Sequence, residues 1–311
     1  MKALVATEYQ ALDRLALADR PMPSAGPGEL VLKVEAAALN PLDLALVTGA
    51  ARELYPVRHP LVVGMDVAGT VEEVGAGVVG YAPGDPVLAF VGQAGAVAEY
   101  TVAAPGPRLA PRPPGLDAVR AAALPESGMT AVCLLRAVGL RAGESVLVVG
   151  ATGGIGLYAV QLAHSLGARV IATATAQDAA YVRELGAADT VDYRERDVVQ
   201  ETLTLVPAGV DVVVDLVNRG DGLAESARAA RPGGRLVSPL YGPPDLGREV
   251  SPVYIGSFTP EPGDLESLAR RAADGTLRVE IGARYPFAEA VTAVTDFATK
   301  HIRGKVVVTV P

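Results

Sequence analysis

Apolar and polar positions change their period once along the chain. Over roughly the first 115 residues the apolar runs are short and cut by Gly and Pro: Val31–Val34, Val67–Val74, Pro86–Val91 and Val97–Val102. Such runs at close spacing predict a β-rich unit. Gly75–Gly84 and Pro105–Gly115 have turn and loop composition, and the second, densest in proline, marks a boundary. From about Ala118 the pattern becomes helical over Leu116–Val138, with an interruption expected around Pro125–Gly128. Apolar strands of four to six residues then alternate with helices: SVLVVG, a helix at Gly154–Leu166, ARVIATAT, a helix at Gln177–Leu185, DTVDY, DVVVDLV, a helix at Gly222–Ala230 and GGRLVSPL. That alternation predicts a parallel sheet covered on both faces. A helix at Asp264–Ala273, a strand at Ile281–Tyr285, a helix at Pro286–Thr299 and the strand KVVVTV follow. The last strand is expected to return to the sheet of the first unit.

Composition narrows the class. The 311 residues are 50% hydrophobic, enough for a large core, so global disorder is excluded. The net charge of −8 argues against nucleic acid or an anionic membrane as a partner. No apolar stretch reaches the ~18 residues of a membrane helix. The first residues run into strand-like alternation without a long apolar segment, so no signal peptide is read and a cytoplasmic protein is the default expectation. Cys133 is the single cysteine, which excludes a disulfide framework and a cysteine-cluster metal site.

The most informative stretch is SVLVVGATGGIGLYAVQLAHSLGARV, Ser145–Val170. An apolar strand runs into GATGGIG, then a helix, then a second strand. In that context a glycine pattern points to a dinucleotide site. Ala151, Gly153 and Gly156 occupy the three positions of G-x-G-x-x-G, with Thr152, Gly154 and Ile155 between them. Gly153 would let backbone approach a pyrophosphate, and Gly156 would let the helix pack closely on the strand. Free N–H groups at the helix start would hold the phosphates. The competing reading is a plain turn whose glycines serve packing alone. The second strand ends at Thr175 with no Asp or Glu for a ribose 2′-hydroxyl, and no Lys or Arg lies between Thr175 and Tyr181. NADPH is therefore expected over NADH, by absence of the acid more than by presence of a base.

At this point the sequence resembles a known family. AAALNPLD (Ala36–Asp43), GMDVAGTVEEVG (Gly64–Gly75), GDPVLAF (Gly84–Phe90), AEYTV (Ala98–Val102), AALPESGMTA (Ala122–Ala131), VGATGGIG (Val149–Gly156), PGGRLVS (Pro232–Ser238) and RGKVVV (Arg303–Val308) stand in the family's order over nearly the whole chain. Together they resemble the zinc-independent quinone oxidoreductase branch of the medium-chain dehydrogenase/reductases. The resemblance implies an α/β protein: a GroES-like β-rich catalytic domain, residues 1–117 and 262–311, with a Rossmann-type, doubly wound parallel-sheet domain, residues 118–261, inserted in it. It further implies a homodimer, or a tetramer built from dimers, a site between the domains, and hydride transfer from NADPH to a quinone or to the double bond of an α,β-unsaturated carbonyl.

Zinc-dependent relatives have Cys in place of Asn40 and a His–Glu pair in place of Met65 and Asp66. Asn40 and Met65 are poor zinc ligands, and His59, His164 and His301 lie far apart without ligand spacing, so no metal site is expected. Without a metal, the acceptor oxygen must be polarised by hydrogen-bond donors. The resemblance places Asn40 by the nicotinamide ribose and substrate, and Tyr55 by the substrate. The plainer readings are a turn residue before Pro41 and an ordinary loop aromatic; Asp43 is read as ordering the NPLD turn. Thr130 matches a nicotinamide-side threonine, or is a helix cap. Tyr193 matches a position near the adenosine or a 2′-phosphate. Val217–Asn218 and Ser238–Tyr241, including Leu240, follow apolar strands where cofactors lie. SPLYGPP departs from the family's usual small turn there. Cys133 is read as a core thiol, and Arg194, Arg196 and Asp197 as a solvated face. A non-redox member of the same fold and a non-catalytic NADPH sensor are the competing functions.

Overall fold

A computed structural model describes all 311 residues. The chain forms two compact units, Met1–Ser127 with Glu261–Pro311, and Gly128–Pro260. In chain order the strands are β1 (Lys2–Ala6), β2 (Ala16–Asp19), β3 (Leu30–Leu39), β4 (Leu61–Val62), β5 (Asp66–Val74), β6 (Pro86–Phe90), β7 (Tyr100–Ala103), β8 (Leu109–Pro111), β9 (Ser145–Val149), β10 (Arg169–Thr173), β11 (Ala187–Val191), β12 (Val210–Asp215), β13 (Ala230–Ser238), β14 (Ser251–Tyr254), β15 (Ile281–Pro286) and β16 (Lys305–Thr309). The helices that matter below are α1 (Pro41–Thr48), α2 (Ala118–Ala122), α3 (Pro125–Ala137), α4 (Gly154–Ser165) and α5 (Ala176–Glu184).

The first unit is the expected β-rich one. A seven-stranded sheet runs β15-β16-β3-β5-β6-β8 with β7 also on β3, and β2-β1-β4 form a smaller sheet. The closing strand does return: β16 pairs antiparallel with β3, Val308 opposite Ala37. β3 is buried on both faces along most of its length, which is why LVLKVEAAAL is almost continuously apolar. Leu32, Val34, Val67, Val87, Val306 and Val308 belong to its core.

Two local features differ from the sequence pattern. NPLD is not merely a turn: it opens α1, with Asn40 as N-cap, Pro41 at the first position and Asp43 completing a capping box. The helical stretch breaks at Ala123–Leu124, ahead of Pro125 rather than after it, because proline starts α3 instead of ending a helix. α2 packs on β3 and β5, so this unit runs past residue 117 to Ser127.

The second unit is a six-stranded sheet ordered β11-β10-β9-β12-β13-β14. Every pair in it is parallel. Counted from β9 that is order 3-2-1-4-5-6, the doubly wound arrangement for dinucleotides. Leu147, Ile171, Val213 and Leu236 are fully buried, as strands covered on both faces require. The periodicity omits two elements. A helix at Val198–Leu205, capped by Asp197, sits where no helix is expected, and β14 lies in a segment for which no element is expected. No helix of the chain is long and apolar enough to cross a membrane.

Candidate functional site

The carboxyl ends of adjacent strands in the second unit carry most of the expected cofactor residues. β9 ends at Val149, and Gly150 turns the chain with φ +85°, a conformation L side chains rarely adopt. Its N–H donates to Thr173 Oγ at 2.9 Å, which ties the turn to the end of β10. α4 follows with Gly153 as N-cap and no side chain capping it. Its first N–H groups have no intrahelical partner, so they are available to an anion. The two later glycines do different work. A Cβ on Gly156 would stand 2.1 Å from Gly150 O and 2.7 Å from Ala151 Cα, so this glycine permits the contact between α4 and the turn. A Cβ on Gly153 would meet only Gly150 O, at 3.4 Å, and Gly153 itself is exposed. Ala151 and Thr152 are buried, while Gly154 and Ile155 are half-buried at the start of α4.

Thr175 caps α5 and is nearly buried. Two carboxylates that strand-end reasoning missed surround it. Asp178, on the first turn of α5, lies 3.2 Å from Thr175 Oγ. Asp192, after β11, accepts Ala176 N–H at 2.8 Å through Oδ2 and Arg194 N–H at 3.0 Å through Oδ1. Tyr193 is exposed, with the Arg194 guanidinium 6.0 Å from its ring centroid. On the next strands, Val217 is exposed after β12, its N–H held at 3.0 Å by Asp215 Oδ1. Ser238 is buried and accepts Leu240 N–H at 3.0 Å, which shapes the turn after β13. Thr130 is buried in α3, and Cys133 is buried as expected for a core thiol. Arg194 and Arg196 are exposed, and Asp197 is exposed as the cap of the following helix.

The first unit holds a buried polar cluster at the end of β3. Asn40 is fully buried. Its Nδ2 donates to Asp66 Oδ2 at 2.9 Å. Its Oδ1 accepts from Lys305 Nζ, and Ser127 Oγ lies 3.4 Å from it. The amide orientation is thereby determined, with one Nδ2–H left over. Lys305 Nζ also donates to Ser127 Oγ at 3.1 Å and lies 3.6 Å from Asp66 Oδ2. Asp66 Oδ1 accepts Glu126 N–H at 2.9 Å, and Ser127 Oγ donates to Glu126 Oε2 at 3.2 Å. Asp43 Oδ2 accepts Asn40 N–H at 2.7 Å, while its Oδ1 is buried without a partner. Tyr55, half-buried, packs on the core of this unit.

Three carboxyls thus face one ammonium, Asp43 and Asp66 out of water and Glu126 half-buried. Burial pushes Asp66 up to about 7, against the opposing effects of Lys305 and the Asn40 hydrogen bond. Burial also holds Asp43 well above the usual carboxylate range, and raises Glu126 less than it otherwise would, because Lys305 and Ser127 oppose it. Of this cluster, sequence reasoning named Asn40 and Asp43 and set Asp66 aside; it missed Glu126, Ser127 and Lys305. The available signal was a lysine entering the apolar strand KVVVT and a lone acid in GMDVAG. No group of three or more His, Cys, Asp and Glu side chains is placed to hold a metal ion.

Two family models match the chain: an alcohol dehydrogenase GroES-like domain over residues 26–114 and a zinc-binding dehydrogenase over residues 185–308. A chloroplast envelope quinone oxidoreductase homolog of Arabidopsis thaliana is 30% identical over 309 residues, 93% of this chain and 92% of that protein. A quinone oxidoreductase of Pseudomonas aeruginosa is 34% identical, over 91% of each chain. An NADPH-dependent alkenal/one oxidoreductase of Arabidopsis thaliana is 33% identical, over 99% of this chain and 79% of its own. Among solved structures, the quinone oxidoreductase from Coxiella burnetii matches with a TM-score of 0.88 at 30% identity, covering 100% of this chain and 99% of its own. A mycobacterial protein solved with NADPH matches at 0.83 and 31% identity, covering 99% of each chain. The ordered strands, the glycine turn and these full-length likenesses agree: the chain belongs to the quinone oxidoreductase branch of the medium-chain dehydrogenase/reductases.

Proposed function

We propose that the protein transfers a hydride from a reduced nicotinamide dinucleotide to a quinone or to the double bond of an α,β-unsaturated carbonyl, without a metal. The observation that carries this reading is the turn Gly150–Gly156 at the carboxyl edge of a parallel sheet, with the start of α4 uncapped by any side chain. A dinucleotide fits there. Gly153 leaves space on its exposed side, the α4 amides suit a pyrophosphate, and Val217, just after β12, stands against Gly150. The bound cofactor supplies the hydride. The chain orients it, keeps water from it and polarises the acceptor oxygen as negative charge develops. Asn40 suits the last task through its remaining Nδ2–H, and Tyr55 through its phenol.

NADPH is the cofactor proposed, on a neutral Thr175, the exposed Tyr193–Arg194 pair that follows β11, and the relatives that use or bind NADPH. NADH is the second reading, because Asp178 and Asp192 flank Thr175 and can accept from a ribose 2′-hydroxyl. Thr175→Asp loses no side-chain cap of α5, but it removes the hydroxyl that donates to Asp178 and sets a second carboxylate beside it. It should weaken NADPH binding by about tenfold, roughly 1.4 kcal/mol, and NADH binding far less. Equal losses for both cofactors would remove position 175 from the ribose site.

The function itself is tested by tyrosine emission, since the chain has 10 Tyr and no Trp. Energy transfer to a bound reduced cofactor is the expected signal, followed by its oxidation on a panel of quinones and enones. Failure to bind either cofactor sinks the redox and sensor readings together. Binding without oxidation moves the assignment to a sensor or to a non-redox reaction.

A further inference from the structure

Asp43 uses its two oxygens unequally. Oδ2 accepts Asn40 N–H at 2.7 Å and closes the capping box of α1. Oδ1 is buried and receives no donor from the chain, in a residue only 2% exposed. A cavity adjoins Asp43 within the first unit, between α1, residues 61–65 and the turn at Gly92 and Gln93. It measures about 10 Å³, close to the least that admits one water molecule and too small for a larger ligand.

We infer that one water molecule is bound in this cavity as a fixed part of the fold, held by Asp43 Oδ1 and by the backbone N–H of Gly64 or Met65. The site lies wholly in the first unit and is independent of the reaction proposed above.

The wall of the cavity has both halves of a hydrogen bond and no means of joining them directly. Gly64 and Met65 line it and are buried, and neither N–H donates to an acceptor of the chain. Buried polar groups left unpaired are costly, and in native proteins nearly all are satisfied by the chain or by ordered water. A water joins the two sides because it donates to the carboxyl oxygen and accepts from an N–H. Purely apolar cavities stay dry, whereas this one offers the two or more polar partners that a buried water needs.

The chemistry of the wall selects water over a cation. A hard cation takes several oxygen ligands at once. Here Asp43 is the only carboxylate in the lining, and the Val63, Gly64 and Met65 carbonyls already accept from Val97, Ala96 and Val91 N–H. Burial holds the Asp43 carboxyl well above its usual range; Asp66 and Glu126 act in the same direction, and Asn40 N–H and Lys305 oppose it. Water suits either state, donating to a charged oxygen or accepting from a protonated one. Exchange with solvent takes place past Gln93, which is exposed and whose Nε2 donates to Pro56 O at 3.1 Å.

Bound there, the water ties the first turn of α1 to the chain that enters β5. The same carboxyl holds Asn40 N–H, so the water also steadies the residue at the head of the buried cluster.

The test is a crystal structure of the full chain at a resolution that shows ordered water, together with water-to-amide NOE measurements on nitrogen-15-labelled protein. One density peak within hydrogen-bond distance of Asp43 Oδ1 is expected, with a cross-peak from a long-lived water to Gly64 or Met65 N–H. Asp43→Asn keeps an acceptor for Asn40 N–H and a polar atom for the water, so both signals should persist. Asp43→Leu should lose both, and amide exchange in the first turn of α1 should speed up. Where Asp43→Leu does not fold, the wild-type density and cross-peak decide alone. An empty cavity, or an Asp43 Oδ1 bonded to a donor of the chain, would overturn the assignment. So would an anomalous peak in the cavity after soaking in rubidium or thallium salt, which marks a monovalent cation in place of water.

Discussion

Gly156→Ala is expected to destabilise the second unit by about 3–5 kcal/mol, a drop of roughly 10 °C in its melting temperature. The added methyl would stand 2.1 Å from Gly150 O and 2.7–2.8 Å from two Ala151 backbone atoms. Those are backbone atoms, which cannot swing aside as a side chain can. α4 would have to move off the turn, and its neighbours in the packed unit transmit that strain. Gly153→Val is the contrasting case. Its Cβ meets Gly150 O at an ordinary 3.4 Å, so the fold should hold while cofactor affinity is lost, because the branched side chain covers the backbone that a pyrophosphate approaches. Calorimetry and a cofactor titration on the two variants separate these roles. Equal melting losses for both, or retained cofactor affinity in Gly153→Val, would mean the turn's glycines serve packing alone.

Lys305→Met is the second large effect. Lys305 is 3% exposed and meets Asn40, Ser127 and Asp66. Removing it leaves the Asp66 carboxylate, itself fully buried, without its counter-charge. Breaking a buried pair in this way costs about 3–5 kcal/mol. The loss should depend on pH. Asp66 is raised to about 7 in the folded chain, so the folded state binds a proton that the unfolded chain has lost by then. A raised group contributes stability that is fully present below its unfolded value of about 4 and is lost as pH rises through 7. Without Lys305 the carboxyl rises further, so the variant should be nearest to wild type at about pH 5 and furthest above pH 8. Lys305→Arg should restore part of the stability by keeping the charge. Denaturant unfolding across that range reads the difference, and a pH-independent loss would mean Lys305 acts by packing rather than charge.

The glycine turn was readable because it is local. Strand, turn, helix and strand lie within Ser145–Val170, and each glycine's job follows from its place in that run. Asp178 escaped notice because the acid was sought at the end of the strand, whereas its side chain reaches Thr175 from the first helical turn. The helix at Val198–Leu205 was overlooked because it is short and lies between two clear strands. α1 was hidden for a different reason: proline after Asn40 reads as a turn unless Asp43 is recognised as the other half of a capping box.

Sequence alone determined the periodic features of this protein. Continuous apolar runs impose a parallel sheet, because a strand covered on both faces has no polar side. Alternation and Gly–Pro spacing impose the β-rich unit, and the glycine turn marks where β9 passes into α4. The tertiary structure decided the company each charge keeps. Asn40, Asp66, Glu126, Ser127 and Lys305 are separated by up to 265 positions and have no periodic relation, yet β16 returning against β3 brings the lysine onto Asn40. Whether a lone acid or lysine is solvated or buried in a charge cluster depends on strand pairing across the whole chain. Spacing within one segment holds no record of it.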